Sequence, residues 1–484
     1  MPATFKSGGN VPMEHGQVEN GGPPAKKQRT IETDEPSTSG LHSLVDYGAR
    51  LSRQGQARQL PSLRVIVSTF TGVPGIIGLH GGLPPPDAFP WTAITMTLRD
   101  GSKVEITDPA KVSAAQQYST VLKGYPGLQE WAHAHTWAQH SPPGAHEVMV
   151  TGGSNHTLEI IFSLLLNRGD PLLCEEYTYP HVVESFMNMK GYKAMPVSID
   201  QHGIVPSALR ATLEARKESG AQMPRLMYTV PIGQNPTGAI TPVSRRRQIY
   251  DICRTFDVVI IEDDPYYYLQ FAGAGCEPLG LNNLGQSYLS MDTDNRVIRL
   301  DSFAKVLAPG VRLGWVTAAP AMIEKIIFCL HGSTLGPCSS SQVMVAEMLR
   351  VWGQAGLEAH VRNMQSKYAH RAQVIHDAAA EHLAGLAEWS RPQAGMFMWM
   401  RLGAGVTDAD QILDLLKEER VVVVPGRIAH CKGPHPGVPC PYVRVSYASA
   451  ADEDLKEGMR RLANVLRAFQ QNHQSPATSN GNHK

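Results

Sequence analysis

Apolar positions along the chain divide it into three stretches. Residues 1–42 are rich in Gly, Pro, Ser, Thr and charge, with almost no large apolar side chains. Such a segment cannot offset its ordering entropy and is expected to be a disordered tail. Residues 471–484 form a second polar tail. Between the tails, short apolar runs at 147–150, 171–174, 226–230, 258–261 and 297–300 alternate with helical-looking segments. Val258-Val259-Ile260-Ile261 is apolar at every position, as expected of a strand buried on both faces. This alternation predicts an α/β domain with a mainly parallel sheet over 131–370. Beyond about Arg371 helices interleave with short strands at 396–402, 421–424 and 443–447, which predicts a smaller α+β domain over 371–470. Residues 43–130 are expected to contribute to that small domain and to a subunit interface.

Composition narrows the function. The 44 basic residues balance 44 acidic ones, so overall charge favours neither nucleic acid nor an anionic membrane, and small charged metabolites remain as partners. No run approaches the roughly 18 consecutive apolar residues of a membrane span. The seven cysteines are scattered, odd in number and without a CxxC pair, which fits a reduced compartment. Glu14, Glu19, Glu32, Asp34 and Glu35 count against an import peptide, so a cytoplasmic location is expected. The basic run Lys26-Lys27-Gln28-Arg29 reads first as a solvated tail and leaves a nuclear address open. His430, Cys431, His435 and Cys440 share a Pro/Gly-rich loop, but their spacing matches no zinc signature, so no metal is expected.

The polar clusters of the chain follow its predicted strands, and ligands of parallel sheets bind beyond the carboxyl ends of strands. After 147–150 comes Thr151-Gly152-Gly153-Ser154-Asn155 and then a helix, a natural phosphate seat of free N–H groups. After 226–230 comes Pro231-Ile232-Gly233-Gln234-Asn235-Pro236-Thr237-Gly238, a rigid turn presenting one Asn amide. After 258–261 comes Glu262-Asp263-Asp264-Pro265-Tyr266-Tyr267, three acids that are costly to bury unpaired. After 297–300 come Asp301-Ser302-Phe303-Ala304-Lys305 and, in the same Pro/Gly loop, Arg312. Alone, Lys305 would snorkel to the surface. Partly desolvated beside another cation, it would have a lowered pKa and could form Schiff bases.

Carried by these strings, together with Gly81-Gly82-Leu83-Pro84 and Gly395-Met396-Phe397, the chain resembles the fold-type I aminotransferases dependent on pyridoxal phosphate. It is most similar to the kynurenine/2-aminoadipate and fungal aromatic aminotransferases, from about Leu60 to Phe469. The resemblance implies a large domain with a mainly parallel seven-stranded sheet, a small α+β domain, and a homodimer with shared active sites. It implies that Lys305 bonds the cofactor and then shuttles a proton, and that Asp264 pairs with the pyridine nitrogen. Asn235 and Tyr267 would meet the ring's O3′, and Tyr179 would stack on the ring. Gly153, Ser154, Asn155, Ser302 and Arg312 would hold the phosphate, with Tyr118 reaching the phosphate of the neighbouring subunit. Arg444 would clamp the substrate carboxylate, and Gly82, Asn235 and Arg64 would line the substrate pocket. One departure is Ala304, where many relatives have a serine, which predicts weaker cofactor retention.

The activity so implied is ping-pong transfer of an amino group from an aromatic, kynurenine-type or 2-aminoadipate donor to 2-oxoglutarate. A lyase or synthase on the same fold is the alternative. A transcription regulator of this fold is disfavoured, because the segment before Leu60 is too short and polar for a winged helix.

Overall fold

The computed structural model describes residues 44–70, 73–77, 79, 82–119, 121–273, 275–433 and 439–474. Lys26–Arg29 and both expected tails lie outside the described residues, apart from 471–474, which end the last helix.

Seven strands form the central sheet: β1 (Glu147–Thr151), β2 (Pro171–Glu175), β3 (Lys193–Val197), β4 (Leu226–Thr229), β5 (Val259–Asp263), β6 (Val297–Ser302) and β7 (Gly314–Ala318). Their order is β1-β7-β6-β5-β4-β2-β3, and all run parallel except β7, which is antiparallel to both neighbours. This is the mainly parallel sheet expected of the sequence. Helices cover both faces, which is why apolar side chains line both faces of the strands. On the near face, Leu158 and Ile161 of α1 (Ser154–Leu165) pack with Ile323 and Ile326 against Cys174, Tyr228, Ile261 and Leu300. On the far face, Leu209, Leu213, Ile249 and Cys253 pack against Leu173, Met227, Ile260 and Val297. Consecutive strand residues therefore serve opposite faces, as the pleat requires.

The small lobe holds an antiparallel sheet of β8 (Ala387–Trp389), β9 (Phe397–Leu402), β10 (Val424–Pro425) and β11 (Tyr442–Ser446), in the order β8-β9-β11-β10. Met398, Met400, Leu402, Val443 and Val445 point into the lobe's core, where Leu462 and Leu466 of the last helix meet them. Alternation leaves Phe397, Trp399 and Arg444 on the other face. The helix Ser339–Leu383 links the lobes and kinks at Gly353, whose φ is 57°. Its first part packs through Val345 and Leu349 in the large lobe and its last part through Ile375 and Ala379 in the small one.

None of the described residues of segment 43–130 belongs to the small-lobe core. Its first turns dock on the large lobe instead, with the Tyr47 hydroxyl donating to the Asn295 carbonyl at 2.9 Å and the Ser52 N–H to Leu164 at 2.7 Å. Gly55 lies so close to the Leu164 carbonyl that a side chain there would collide. Val112 and Ala115 pack on Val343 of the linking helix. An amphipathic segment reveals that it has a face to bury, not which lobe will bury it.

Candidate active site

Period-2 alternation decides which polar side chains at the strand ends share a space. In β5, Val259 and Ile261 lie on the near face, so Asp263 follows them there while Glu262 turns to the far face. In β6, Ile298 and Leu300 bring Ser302 to the near face, and Arg299 and Asp301 turn away. In β4, Tyr228 faces the near side beside Asp263.

Asp263 is buried, and its Oδ2 accepts from the Tyr228 hydroxyl at 2.8 Å. Its Oδ1 is buried with no hydrogen-bond partner, and no cation among the described residues forms an ion pair with it. Ser154, the first residue of α1, places its buried Oγ beside this carboxyl, where the hydroxyl favours the ionised form. Burial pushes Asp263 up to about 6 from the ordinary 3.8, with the Tyr228 hydroxyl pulling the other way. An uncompensated buried carboxylate is costly unless a cation arrives to meet it.

Beside it is an anion seat. Gly153 precedes α1 at φ 94°, a conformation natural to glycine, and leaves the N–H groups of the first turn unengaged by the helix. A side chain at 153 would crowd Arg312, whose Nη2 lies 3.4 Å from where the Cβ would be. Ser302 caps the short helix Phe303–Val306 by accepting from the Ala304 N–H at 3.1 Å, leaving its own O–H free to donate elsewhere. Lys305 is half-buried in that helix, and burial together with the Arg312 charge holds its ammonium below the usual lysine range.

The opposite wall comes from loops and the small lobe. Asn155 approaches the Tyr179 hydroxyl at 3.5 Å, the outer limit of a hydrogen bond. Tyr266 is buried among Asp263, Tyr179, Asn235 and Arg444, and burial pushes its hydroxyl up. Buried Asn235 accepts from Arg444 Nη1 at 2.8 Å, joining the lobes. The Arg444 guanidinium lies 4.4 Å from the centre of the Phe397 ring, and its Nε is buried without a partner.

Two expected residues lie elsewhere. Asp264 sits in a buried ion cluster in which Arg299 bonds Asp264 at 3.1 Å, Glu262 at 3.2 Å and Asp301 at 2.8 Å. Tyr267 lies 4.7 Å beneath the same guanidinium and donates to the Gly285 carbonyl at 3.0 Å. The structure thus brings Asp263 and Tyr266 into the site in place of Asp264 and Tyr267. The reason is that β5 runs on to Asp263, so one position along the chain exchanges the faces. Gly82 is exposed in open space and Tyr118 is 54% exposed, so neither joins the site within this chain. Arg64 belongs to helix Ser62–Phe70, with its side chain outside the described residues. Tyr228 was not singled out in the sequence, where a tyrosine inside an apolar strand reads as core.

An anion seat, an amine of lowered basicity and an unpaired buried carboxylate, with tyrosines between, complement a phosphorylated aromatic ring that carries an aldehyde and a nitrogen cation. Pyridoxal phosphate has that form. The description "Aminotransferase class I and II" matches residues 127–462. The kynurenine/alpha-aminoadipate aminotransferase of Bos taurus, a mitochondrial protein, is 33% identical over 439 residues, spanning 87% of this chain and 99% of the relative. An aromatic amino acid aminotransferase of Schizosaccharomyces pombe is 31% identical over 470 residues, spanning 87% and 98%. Among solved structures, the aminotransferase Aro8 from Candida albicans superposes with a TM-score of 0.80 at 28% identity, spanning 89% of this chain and 99% of that one. With the family description covering most of the chain and relatives matching nearly end to end, the protein belongs to the class I and II aminotransferases, a family dependent on pyridoxal phosphate.

Proposed function

We propose that this site moves the amino group of an aromatic, kynurenine-type or 2-aminoadipate donor to 2-oxoglutarate in a ping-pong cycle. The observation that carries the reading is Asp263, a buried carboxylate with one oxygen unpaired, set beside the seat that holds Lys305 and Arg312. When bound, pyridoxal phosphate supplies the electron sink that acidifies the donor's Cα–H. Asp263 meets the ring nitrogen, keeping its proton in place. Asn235 and Tyr266 donate toward the ring's phenolic oxygen, and Tyr179 covers the ring face. Gly153, Ser154, Asn155, Ser302 and Arg312 hold the phosphate, the guanidinium meeting its oxygens in pairs.

Lys305 would hold the cofactor's aldehyde carbon through Nζ and, when free, would take and return the donor's Cα proton at the same atom. Burial and the Arg312 charge lower its basicity, which makes the neutral, proton-accepting amine easier to reach than in a free lysine. Arg444 takes the donor's carboxylate; its bond to Asn235 aims it into the cleft and its buried Nε waits for an acceptor.

Aromatic donors are placed first and 2-aminoadipate next; both donor classes occur in the relatives' names, which do not rank them. A panel of amino donors assayed with 2-oxoglutarate tests it, and turnover confined to alanine would overturn it. The enzyme is read as a homodimer in which Tyr118 reaches the partner's phosphate and Gly82 and Arg64 border the pocket. Supporting this, Tyr118, Leu83, Trp91 and Leu335 expose large apolar surfaces that a second subunit would cover. Among the described residues no helix is long and apolar enough to cross a membrane. The proposed compartment is the cytoplasm, and cell fractionation decides between it and the mitochondrion of the bovine relative.

A further inference from the structure

Arg299 is buried in the middle of β6, and all three of its nitrogens are engaged. Nε and Nη2 grip Asp301 in parallel, at 2.9 and 2.8 Å, and Nη1 reaches Asp264 at 3.1 Å and Glu262 at 3.2 Å. Glu262 is itself held by the N–H groups of Tyr288 and Leu289, at 2.8 and 3.1 Å. The ring of Tyr267 backs the guanidinium. These partners have a common feature. Glu262 and Asp264 are the two chain neighbours of Asp263, and Asp301 directly precedes Ser302 in the strand that delivers Lys305.

We propose that Arg299 is a positioning residue for the cofactor seat: from the far face of the sheet, one guanidinium holds the end of β5 that presents Asp263 and the end of β6 that presents Ser302 and Lys305 at a fixed separation. The inference rests on the roles given to Asp263 and Lys305 above. Those two groups meet different parts of one rigid ring, so the distance between their strand ends has to match the ring. Backbone pairing fixes the strands as far as Leu300 opposite Asp263, its last bond being the Asp264 N–H donating to the Leu300 carbonyl at 3.1 Å, and it leaves the side chains beyond untied. Beyond that register the chains diverge, Asp264 into a turn and Ser302 into a helix cap, and the Arg299 fork ties them there. A lysine could not do this, because the tie needs a planar fork with separate donors for separate carboxylates.

The test uses the full chain and reads the dissociation constant for pyridoxal phosphate by equilibrium dialysis, alongside thermal unfolding of the apo-protein. Arg296 supplies the control: it is equally buried in the chain just before β6, forks onto Asp294 at 2.6–3.0 Å, and lies at the end of the strand remote from the site. Arg299→Lys is expected to weaken cofactor binding about tenfold, and Arg296→Lys about twofold or less, at similar losses of thermal stability. Equal weakening by the two variants would overturn the proposal, because the effect would then follow stability alone. Should Arg299→Lys fail to fold, Asp301→Asn replaces it, with about threefold weakening expected and the same standard for rejection. Asp263→Asn is measured in parallel. If it leaves cofactor binding unchanged, the reading of the site fails, a result distinct from equal behaviour of the two arginine variants.

Discussion

Asp263 and Asp264 are adjacent, chemically identical and both buried, yet they serve opposite faces of one sheet. Each has one oxygen bonded and one without a partner. What separates them is the kind of partner. Asp264 has a guanidinium, shared with Glu262 and Asp301, so a cation already faces it from within the chain. Asp263 is met by neutral hydroxyls, those of Tyr228 and Ser154, and its surroundings are an anion seat, a lysine and tyrosines. A protein that buries a carboxylate without a cation has left room for one to come from outside. The far face is structure that has satisfied itself. The near face is completed by a ligand.

The comparison breaks most directly by neutralising each acid in turn. Asp263→Asn keeps the shape and the Tyr228 bond but removes the charge that would face the ring nitrogen. Loss of a buried charge-assisted bond at the reacting ring is expected to lower kcat by about 100-fold or more. Asp264→Asn leaves Arg299 two carboxylates, and burial already pushes Asp264 toward the protonated form, so kcat should stay within about threefold. Steady-state kinetics with one aromatic donor decides the matter. Equal losses in the two variants would erase the distinction between the faces.

That distinction was the part of the site the sequence concealed. The parallel sheet was legible because its strands are apolar on both faces, and the loops after them because Gly, Pro and polar side chains gather there. Gly153-Ser154, Asn235, Ser302-Lys305 and Arg444 could be placed from those loops and from the family resemblance. The same double-sided burial hid the registry of β5. In Val258-Val259-Ile260-Ile261 no polar position marks a face, so the run leaves unstated whether the first or second aspartate turns toward α1. Tyr266 and Tyr267 inherit the same one-step ambiguity. A signal existed in β6, where Arg299 and Asp301 alternate with Ile298, Leu300 and Ser302. Pairing Leu300 with Asp263 makes Asp263 share its face, but that register is a tertiary fact. The docking of residues 44–57 on the large lobe was hidden for a related reason, since its anchors are backbone carbonyls of Leu164 and Asn295.

The apo-protein offers a second test, through pH. Asp263 holds its proton up to about 6 when folded, against 3.8 ordinarily. The folded state therefore binds the proton more tightly than the unfolded one. The stability this contributes is fully present below about 4 and is lost as pH rises through about 6. Asp263→Asn cannot titrate. Its stability relative to wild-type apo-protein should therefore climb between pH 4 and 6 and level off above, by about 3 kcal/mol. Denaturant unfolding of both proteins across that range measures it. Burial raises Asp264 as well, to about 7 against the opposing pull of Arg299, so Asp264→Asn should climb over a similar and slightly higher range, and the contrast between the two acids is read in kcat and cofactor binding.

The smallest expected effect sharpens the comparison furthest, because it removes one hydroxyl from each face. Tyr228→Phe deletes the donor to Asp263 Oδ2 and leaves the ring packed in the strand. Without that bond the carboxylate is harder to keep ionised, and a lost hydrogen bond to a charged group costs about 1.5–3 kcal/mol. Part of this returns when the ring nitrogen arrives, so cofactor affinity should fall by about fivefold. Tyr267→Phe deletes a hydroxyl that donates to the Gly285 carbonyl, 3.0 Å away on the far side. It should lose a little thermal stability and leave cofactor affinity within about twofold. Titrating pyridoxal phosphate into the two apo-variants compares them under one condition. A larger loss in Tyr267→Phe than in Tyr228→Phe would mean that the ring nitrogen is read from the far side after all, and that Asp264 is its partner.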